Sequence, residues 1–146
     1  PNRIMFSAFA EQQLKLAQRN THGMAVIAID LDHFKEVNDT QGHAAGDAVL
    51  IEAAGRIKQA VRNSDIAARV GGDEFLVLLS ETDPKVALQT ANRIVEGLGR
   101  SYPMTPFPVT GSAGVALYPQ DGQTLDSGGT GRALPHSCHP SLAKSH

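Results

Sequence analysis

At 146 residues the chain holds one domain's worth of sequence, long enough to bury a single sizeable core. Apolar residues make up 41% and charged residues 19%, a globular rather than a disordered balance, and a formal net charge of -2 gives no general attraction for nucleic acid or an anionic membrane. No apolar run approaches the roughly 18 to 20 residues that span a bilayer, and a single cysteine, Cys138, excludes an internal disulfide and fits a reducing, cytoplasmic compartment.

The first segment, PNRIMFSAFAEQQLKLAQRN, carries Phe6, Phe9, Ala10, Leu16 and Ala17 at helical intervals and predicts an amphipathic helix. GMAVIAIDLD, from Gly23 to Asp32, is apolar and β-branched until its acids, as suits a central strand buried on both faces. From Ala44 to Arg62, Val49, Ala53, Ile57 and Val61 recur every four residues beside Leu50 and Ala54, marking a helix with one core face. DIAARV and EFLVLLS then flank Gly71-Gly72, the dipeptide of a two-residue hairpin turn needing positive φ. Asp83-Pro84 predicts an N-cap followed by proline at the first helical position, and Ala87, Ala91, Ile94, Val95 and Leu98 mark the inner face of a helix ending near Gly99. PVTGSAGVALYP predicts a last strand.

After the first helix the order is β-α-β-β-α-β, which predicts an α+β fold: a ferredoxin-like, palm-type sheet with helices packed on one face. Right-handed crossovers make strands one and two parallel, with strand three antiparallel between them. The C-terminal end of strand one then lies beside the N-terminal end of strand three, and Asp30 should meet Asp73. After Asp126, SGGTGRALPHSCHPSLAKSH shows neither period, so 1–126 reads as the domain and 127–146 as an irregular tail.

Acids converging from adjacent strand ends repel one another unless a cation lies between them, and hard oxygen ligands favour Mg²⁺ or Mn²⁺. From Asp30, Asp32, Asp73 and Glu74 alone, an acidic rim on a solvated turn is an equal alternative. Between strand one and the next helix, DLDHFKEVNDTQGHAAGD is dense in polar groups: Lys35 could contact phosphate, and Asn38 and Asp47 could read a base edge. Taken singly, Asn38-Asp39 reads better as a turn, and Asp47 as a first-turn helix acid favoured by the helix dipole.

Together, DLDHFKEVNDTQGHAAGD followed by RVGGDEF resembles the GGDEF family of diguanylate cyclases, with PNR at the start and GVALYPQDG near the end extending the likeness from Pro1 to about Asp126. The resemblance implies condensation of two GTP into cyclic di-GMP with release of pyrophosphate, one GTP on each subunit of an antiparallel homodimer. It implies Asp30 and Asp73 as ligands of Mg²⁺ or Mn²⁺, assisted by the Leu31 carbonyl and Glu74. Gly71 and Gly72 would let the hairpin backbone approach the nucleotide; Asn38 and Asp47 match guanine-binding positions and His43 a substrate-contacting one. Lys35 matches a position that stabilises the transition state, and Asp73 the candidate for deprotonating the attacking 3′-hydroxyl. RNSD, Arg62 to Asp65, sits where the family has its Arg-x-x-Asp inhibitory site for cyclic di-GMP, although Arg at a helix end and Asp in the following turn are common for structural reasons. Such domains are bacterial signalling modules, and fusion to a sensor or phosphodiesterase domain is expected.

The family's closing helix is not visible in 127–146, where Gly128, Gly129, Gly131, Pro135 and Pro140 interrupt any helical pattern. Two other classes stay open beside the cyclase: a regulatory module that binds GTP or cyclic di-GMP without turnover, and a phosphoacceptor domain with Asp30 and Asp32 at a strand end. The intact GGDEF acids favour the cyclase over the binding module. The Gly71-Gly72 hairpin argues against the phosphoacceptor, whose strands would alternate regularly with helices.

Overall fold

The computed structural model describes residues 3–20 and 23–118 of the chain. The expectations for Pro1 and Asn2 and for the segment beyond Tyr118, including Cys138 and the tail 127–146, lie outside the described residues.

Eight elements follow in order: α1 (Arg3–Asn20), β1 (Met24–Asp32), α2 (Phe34–Gln41), α3 (His43–Ala60), β2 (Ile66–Gly71), β3 (Glu74–Ser80), α4 (Pro84–Leu98) and β4 (Thr110–Tyr118). The sheet order is β2-β3-β1-β4, and each neighbouring pair is antiparallel. β1 and β2 are therefore parallel with β3 between them, as the crossover rule predicts. The antiparallel sheet is incompatible with the phosphoacceptor alternative, whose sheet would be parallel.

β1 is central because it can be: its aliphatic run leaves no solvent-facing stripe. Ala25, Ile27, Ile29 and Leu31 point into a core shared with Phe34, Val49, Ile57, Ile94 and Leu98, so α2, α3 and α4 cover that face. Met24 and Val26 point the other way, onto Phe6, Ala10, Leu14 and Ala17 of α1. The helices are thus not all on one face: the first helix closes the second. Fully burying each such Ile or Leu contributes about 1.5 to 3 kcal/mol, and a strand buried on both sides gains from side chains on each face.

At the end of β1 the even-numbered positions outrun the cover of α1. They become Asp30 and Asp32, sharing a face with Met24 and Val26 by strand alternation. Glu74 has the same relation to Leu76 and Leu78 on β3, which also pack on α1. The acids lie on this face beyond the residues that pack against α1.

α2 was not predicted. Its only buried positions are Phe34 and Val37, too few to display a period, and it starts without a side-chain cap from His33 in the left-handed conformation (φ 67°). Gly42, at φ 94°, makes the corner into α3, a backbone angle that favours glycine. Asn38 accordingly lies on a helix rather than in a turn. α3 begins at His43, one residue earlier than expected, and its last helical residue is Ala60, so Arg62 lies beyond the helix end.

α4 starts as the sequence predicts. The Asp83 carboxylate accepts from the Val86 N–H at 2.8 Å, and Pro84 occupies the first turn. Arg56 ties α3 to the far end of α4. Its guanidinium donates to the carbonyls of Gly97 and Arg100 (both 2.9 Å) and Ser101 (2.8 Å) and to Glu52 Oε2 (2.9 Å), and lies 3.9 Å from the centroid of the Tyr102 ring. One cation thus satisfies the terminal carbonyls of one helix from the side of another. Arg56→Ala should lower stability by about 2 to 3 kcal/mol, read from the urea midpoint; a loss under about 0.5 kcal/mol would show that water replaces these bonds without penalty.

Candidate functional site

The β1–β3 register sets the centre of the site. Asp30 pairs across the ladder with Glu74, the last rung before the hairpin, and the Leu31 N–H donates to the Asp73 carbonyl at 3.2 Å. Asp30 therefore meets the hairpin acids as expected, but its direct cross-strand partner is Glu74, with Asp73 one residue farther into the turn.

Burial pushes the Asp30 carboxyl above its ordinary value, and the charges of Glu74, Asp73 and Asp32 push it further in the same direction. Among the described residues no basic side chain forms an ion pair with Asp30, Asp73 or Glu74. Among the described residues the arrangement is an uncompensated patch of hard oxygen donors.

The hairpin differs from expectation. Gly72 and Asp73 are the two turn residues, Gly71 ends β2 opposite Glu74, and the ladder shifts register between Arg69 and Gly71. Neither Gly71 nor Gly72 takes a left-handed φ. What the glycines leave is space: a Cβ at Gly72 would meet nothing within 4 Å, and one at Gly71 only Glu74 Oε1 at 3.7 Å. The Arg69 guanidinium donates to the Gly72 carbonyl (2.6 Å) and braces the turn from β2.

Asp32 stands apart from the other acids. Its carboxylate accepts from the hydroxyls of Thr110 (2.7 Å) and Ser112 (2.9 and 3.0 Å to its two oxygens), both on β4. Thr110 and Ser112 were not singled out in the sequence; the readable signal was a Thr-Gly-Ser alternation that puts two hydroxyls on one face of the strand expected to pair there.

A second group of polar residues gathers on the α2–α3 corner. Asn38 on α2 packs against Gly46 in the first turns of α3, so closely that a Cβ at Gly46 would lie 1.8 Å from Asn38 Oδ1. Gly46 was overlooked, although a glycine within a helix costs about 1 kcal/mol against alanine and so calls for a local reason. His43 and Asp47 are exposed, one turn apart on α3, and Lys35 is exposed on α2. The two groups are joined through the chain Asp32–His33–Phe34, where His33 Nδ1 lies 3.0 Å from Glu36 Oε1.

Arg62 and Asp65 pair with each other. Asp65 accepts from the Arg62 backbone N–H (2.9 Å) and from its guanidinium at 3.0 and 3.2 Å, and Arg62 also donates to the Ser80 carbonyl. The Asp65 side chain is only 1% exposed, whereas that of Arg62 is 51% exposed. The pair borders a groove of about 450 Å³ between α3 and β2, lined by Leu50, Ile51, Ala54, Lys58 and Arg69 among others.

These features can be set beside known proteins. The family model described as diguanylate cyclase, GGDEF domain, matches residues 1–128. The chain belongs to the GGDEF family. This GGDEF chain is 43% identical over 126 residues to the bifunctional diguanylate cyclase/cyclic di-GMP phosphodiesterase MucR of Pseudomonas aeruginosa, with 85% of this chain and 18% of MucR covered. It is 39% identical over 128 residues to the diguanylate cyclase TpbB of the same species, 85% of this chain and 29% of TpbB. The chain thus spans less than a third of these relatives. The crystal structure of the TpbB GGDEF domain superposes with a TM-score of 0.81, covering 85% of this chain and 80% of that one at 39% identity. The GGDEF domain of DgcB from Caulobacter crescentus, solved in complex with c-di-GMP, gives a TM-score of 0.75 at 27% identity, covering 84% of this chain and 75% of that one. No helix among the described residues of this GGDEF chain is long and apolar enough to cross a membrane.

The Asp30 environment carries a sign that can be tested. A carboxyl whose folded value is raised contributes stability that is fully present below its unfolded value and is lost as pH rises through the folded one. In a chelator-containing buffer Asp30→Asn should therefore melt higher than the parent at neutral pH, and the difference should shrink as pH falls towards 4. A variant that melts below the parent at neutral pH would mean that the acids do not repel as argued.

Proposed function

We propose that residues 1–126 form a diguanylate cyclase domain that joins two GTP molecules into cyclic di-GMP, one GTP on each subunit of a homodimer. The observation that carries this is the uncompensated acid patch at the β1–β3 ends, set beside an open glycine hairpin. A protein that merely binds has no need to hold three carboxylates against their mutual repulsion.

The donor set fits a hard divalent cation, Mg²⁺ or Mn²⁺, in its chemistry: carboxylates without a basic partner among the described residues, one of them held above its ordinary value by burial and then by the charge of the others. Among the described residues no three of these groups already converge into a ligand cluster, so the side chains must close around an incoming ion. Asp30, Asp73 and Glu74 with the Leu31 carbonyl would hold it. A cation bound there would neutralise phosphate charge and lower the pKa of a hydroxyl in contact with it.

The chain's own groups supply the rest. Gly71 and Gly72 leave the room through which the hairpin backbone can approach a nucleotide. Asn38, held against Gly46, and Asp47 offer an acceptor and donor pair suited to a guanine edge, with His43 on the same side of α3. Lys35 supplies a cation for the triphosphate. The 3′-hydroxyl oxygen of one GTP attacks the α-phosphorus of the other, its proton passes to Asp73, and pyrophosphate leaves; repetition on the second subunit closes the ring. Positioning and charge neutralisation are the main demands of such a transfer.

Arg62 and Asp65 would form the inhibitory site. The exposed Arg62 guanidinium and the adjacent groove suit a cyclic dinucleotide, whose phosphate or guanine edge Arg62 can fork onto. Asp65 can accept from a guanine amine only if that ligand displaces Arg62 from it. The c-di-GMP complex of the DgcB domain, and the fusion of a cyclase to a phosphodiesterase in MucR, support a role in such signalling.

Purified chain incubated with Mg²⁺ and GTP should release cyclic di-GMP and pyrophosphate. Asp73→Asn should reduce the rate by at least about 10²-fold, the scale of a lost proton acceptor, while leaving the melting temperature no lower. GTP binding without turnover in the parent would favour the regulatory-module reading; equal rates in parent and variant would remove Asp73 from its role.

A further inference from the structure

We propose that Asp32 is a positioning residue: its carboxylate, bound by the hydroxyls of Thr110 and Ser112, fixes the chain just beyond Asp30 so that the Leu31 carbonyl and the start of α2 keep their places at the site. The role rests on the cyclase reading above. Three observations point to it. Asp32 shares a strand face with Asp30, yet both of its oxygens accept hydroxyl hydrogen bonds from β4 at 2.7 to 3.0 Å. Among the described residues no hydroxyl bonds Asp30, which faces Glu74 instead. The two acids are thus put to different uses by the same strand.

The clamp also lies where backbone pairing gives out. On the β3 side the ladder stops at Asp30↔Glu74, while on the β4 side it runs on through Leu31↔Gly111 to Asp32↔Thr110. Past Asp30, among the described residues, the strand's backbone bonds go to β4 and from the Leu31 N–H to the Asp73 carbonyl. One residue later His33 turns left-handed at φ 67°, a conformation that a residue with a side chain keeps only when its surroundings hold it there. Side-chain bonds from Thr110 and Ser112 are placed to supply that restraint.

The hydroxyls are themselves backed by the core. Between them Gly111 faces α4, where a Cβ would lie 2.6 Å from Leu98 Cδ1, so β4 is pressed onto the helix at this point. A shift of β1 at Asp32 must either break the hydroxyl bonds or move β4 against Leu98. Through this contact the α4 side of the core sets the geometry of the strand end, and the strand end sets both the Leu31 carbonyl and α2 with Lys35 and Asn38.

The test uses the full chain with Thr110→Val/Ser112→Ala, Asp32→Ala and Thr110→Ser, read by amide hydrogen exchange and by calorimetry with Mn²⁺ alone. The double variant keeps every carboxylate and removes only the clamp. It should speed exchange at Leu31 and along residues 34–37 while leaving Ile27 and Val77 at the parent's rate, a control for global unfolding. It should weaken Mn²⁺ binding about tenfold, as loss of a group that orients metal ligands does, and Asp32→Ala should match it. Thr110→Ser keeps the hydroxyl and should stay within about twofold of the parent. Unchanged exchange at Leu31 in the double variant would overturn the proposal. So would weakened Mn²⁺ binding in Asp32→Ala alone, which would make Asp32 a direct ligand. If the parent binds no Mn²⁺, the cyclase reading fails, and the exchange rates still decide whether the clamp positions the chain.

Discussion

Like charges held together at the ends of two adjacent strands are the constraint on which the rest of this structure turns. The backbones that carry Asp30 and Glu74 cannot move apart, because the β1–β3 ladder continues to the rung that pairs these two residues. That ladder is held in turn by a strand buried on both faces. The core thus imposes an electrostatic cost at one edge, and a cation bound there would relieve it.

The other parts of the site depend on how the chain leaves that strand end. Asp32 is fastened to β4, His33 turns left-handed, and α2 starts at once with Phe34 and Val37 driven into the core. α2 and α3 then meet at Gly42, and Gly46 admits the Asn38 carboxamide. Each step is short and sterically determined. Groups that would bind phosphate, base and metal therefore come from a stretch of less than twenty residues plus one hairpin, with little freedom to move independently.

Much of this was legible in the sequence. The aliphatic run of β1, the four-residue repeat of α3, the Asp83-Pro84 start of α4 and the order of strands all follow from burial patterns, which the core enforces directly. The acids and the α2–α3 polar residues were visible as motifs. Less readable were features set by packing between distant segments. α2 buries only two apolar residues, so no period announced it. The glycines of the hairpin suggested a positive φ that the register shift on β2 makes unnecessary. The contacts of Asp32 with β4 join positions about eighty residues apart, and the pairing of the buried Asp65 carboxylate with Arg62 is likewise set by the fold. Composition shows which residues carry charge; only tertiary contact shows which of those charges are already used.

The central claim is that the strand-end acids repel one another until a divalent cation joins them. The most direct measurement is the melting temperature of the parent and of Asp30→Asn across a Mg²⁺ titration at constant ionic strength. A ligand that binds the folded state stabilises it by mass action, about 2.7 kcal/mol at a hundredfold excess over Kd, which is several degrees for a domain of this size. The account predicts that Mg²⁺ raises the parent's melting temperature by this order and the variant's by much less. Equal rises in the two proteins, or none in the parent, would contradict it.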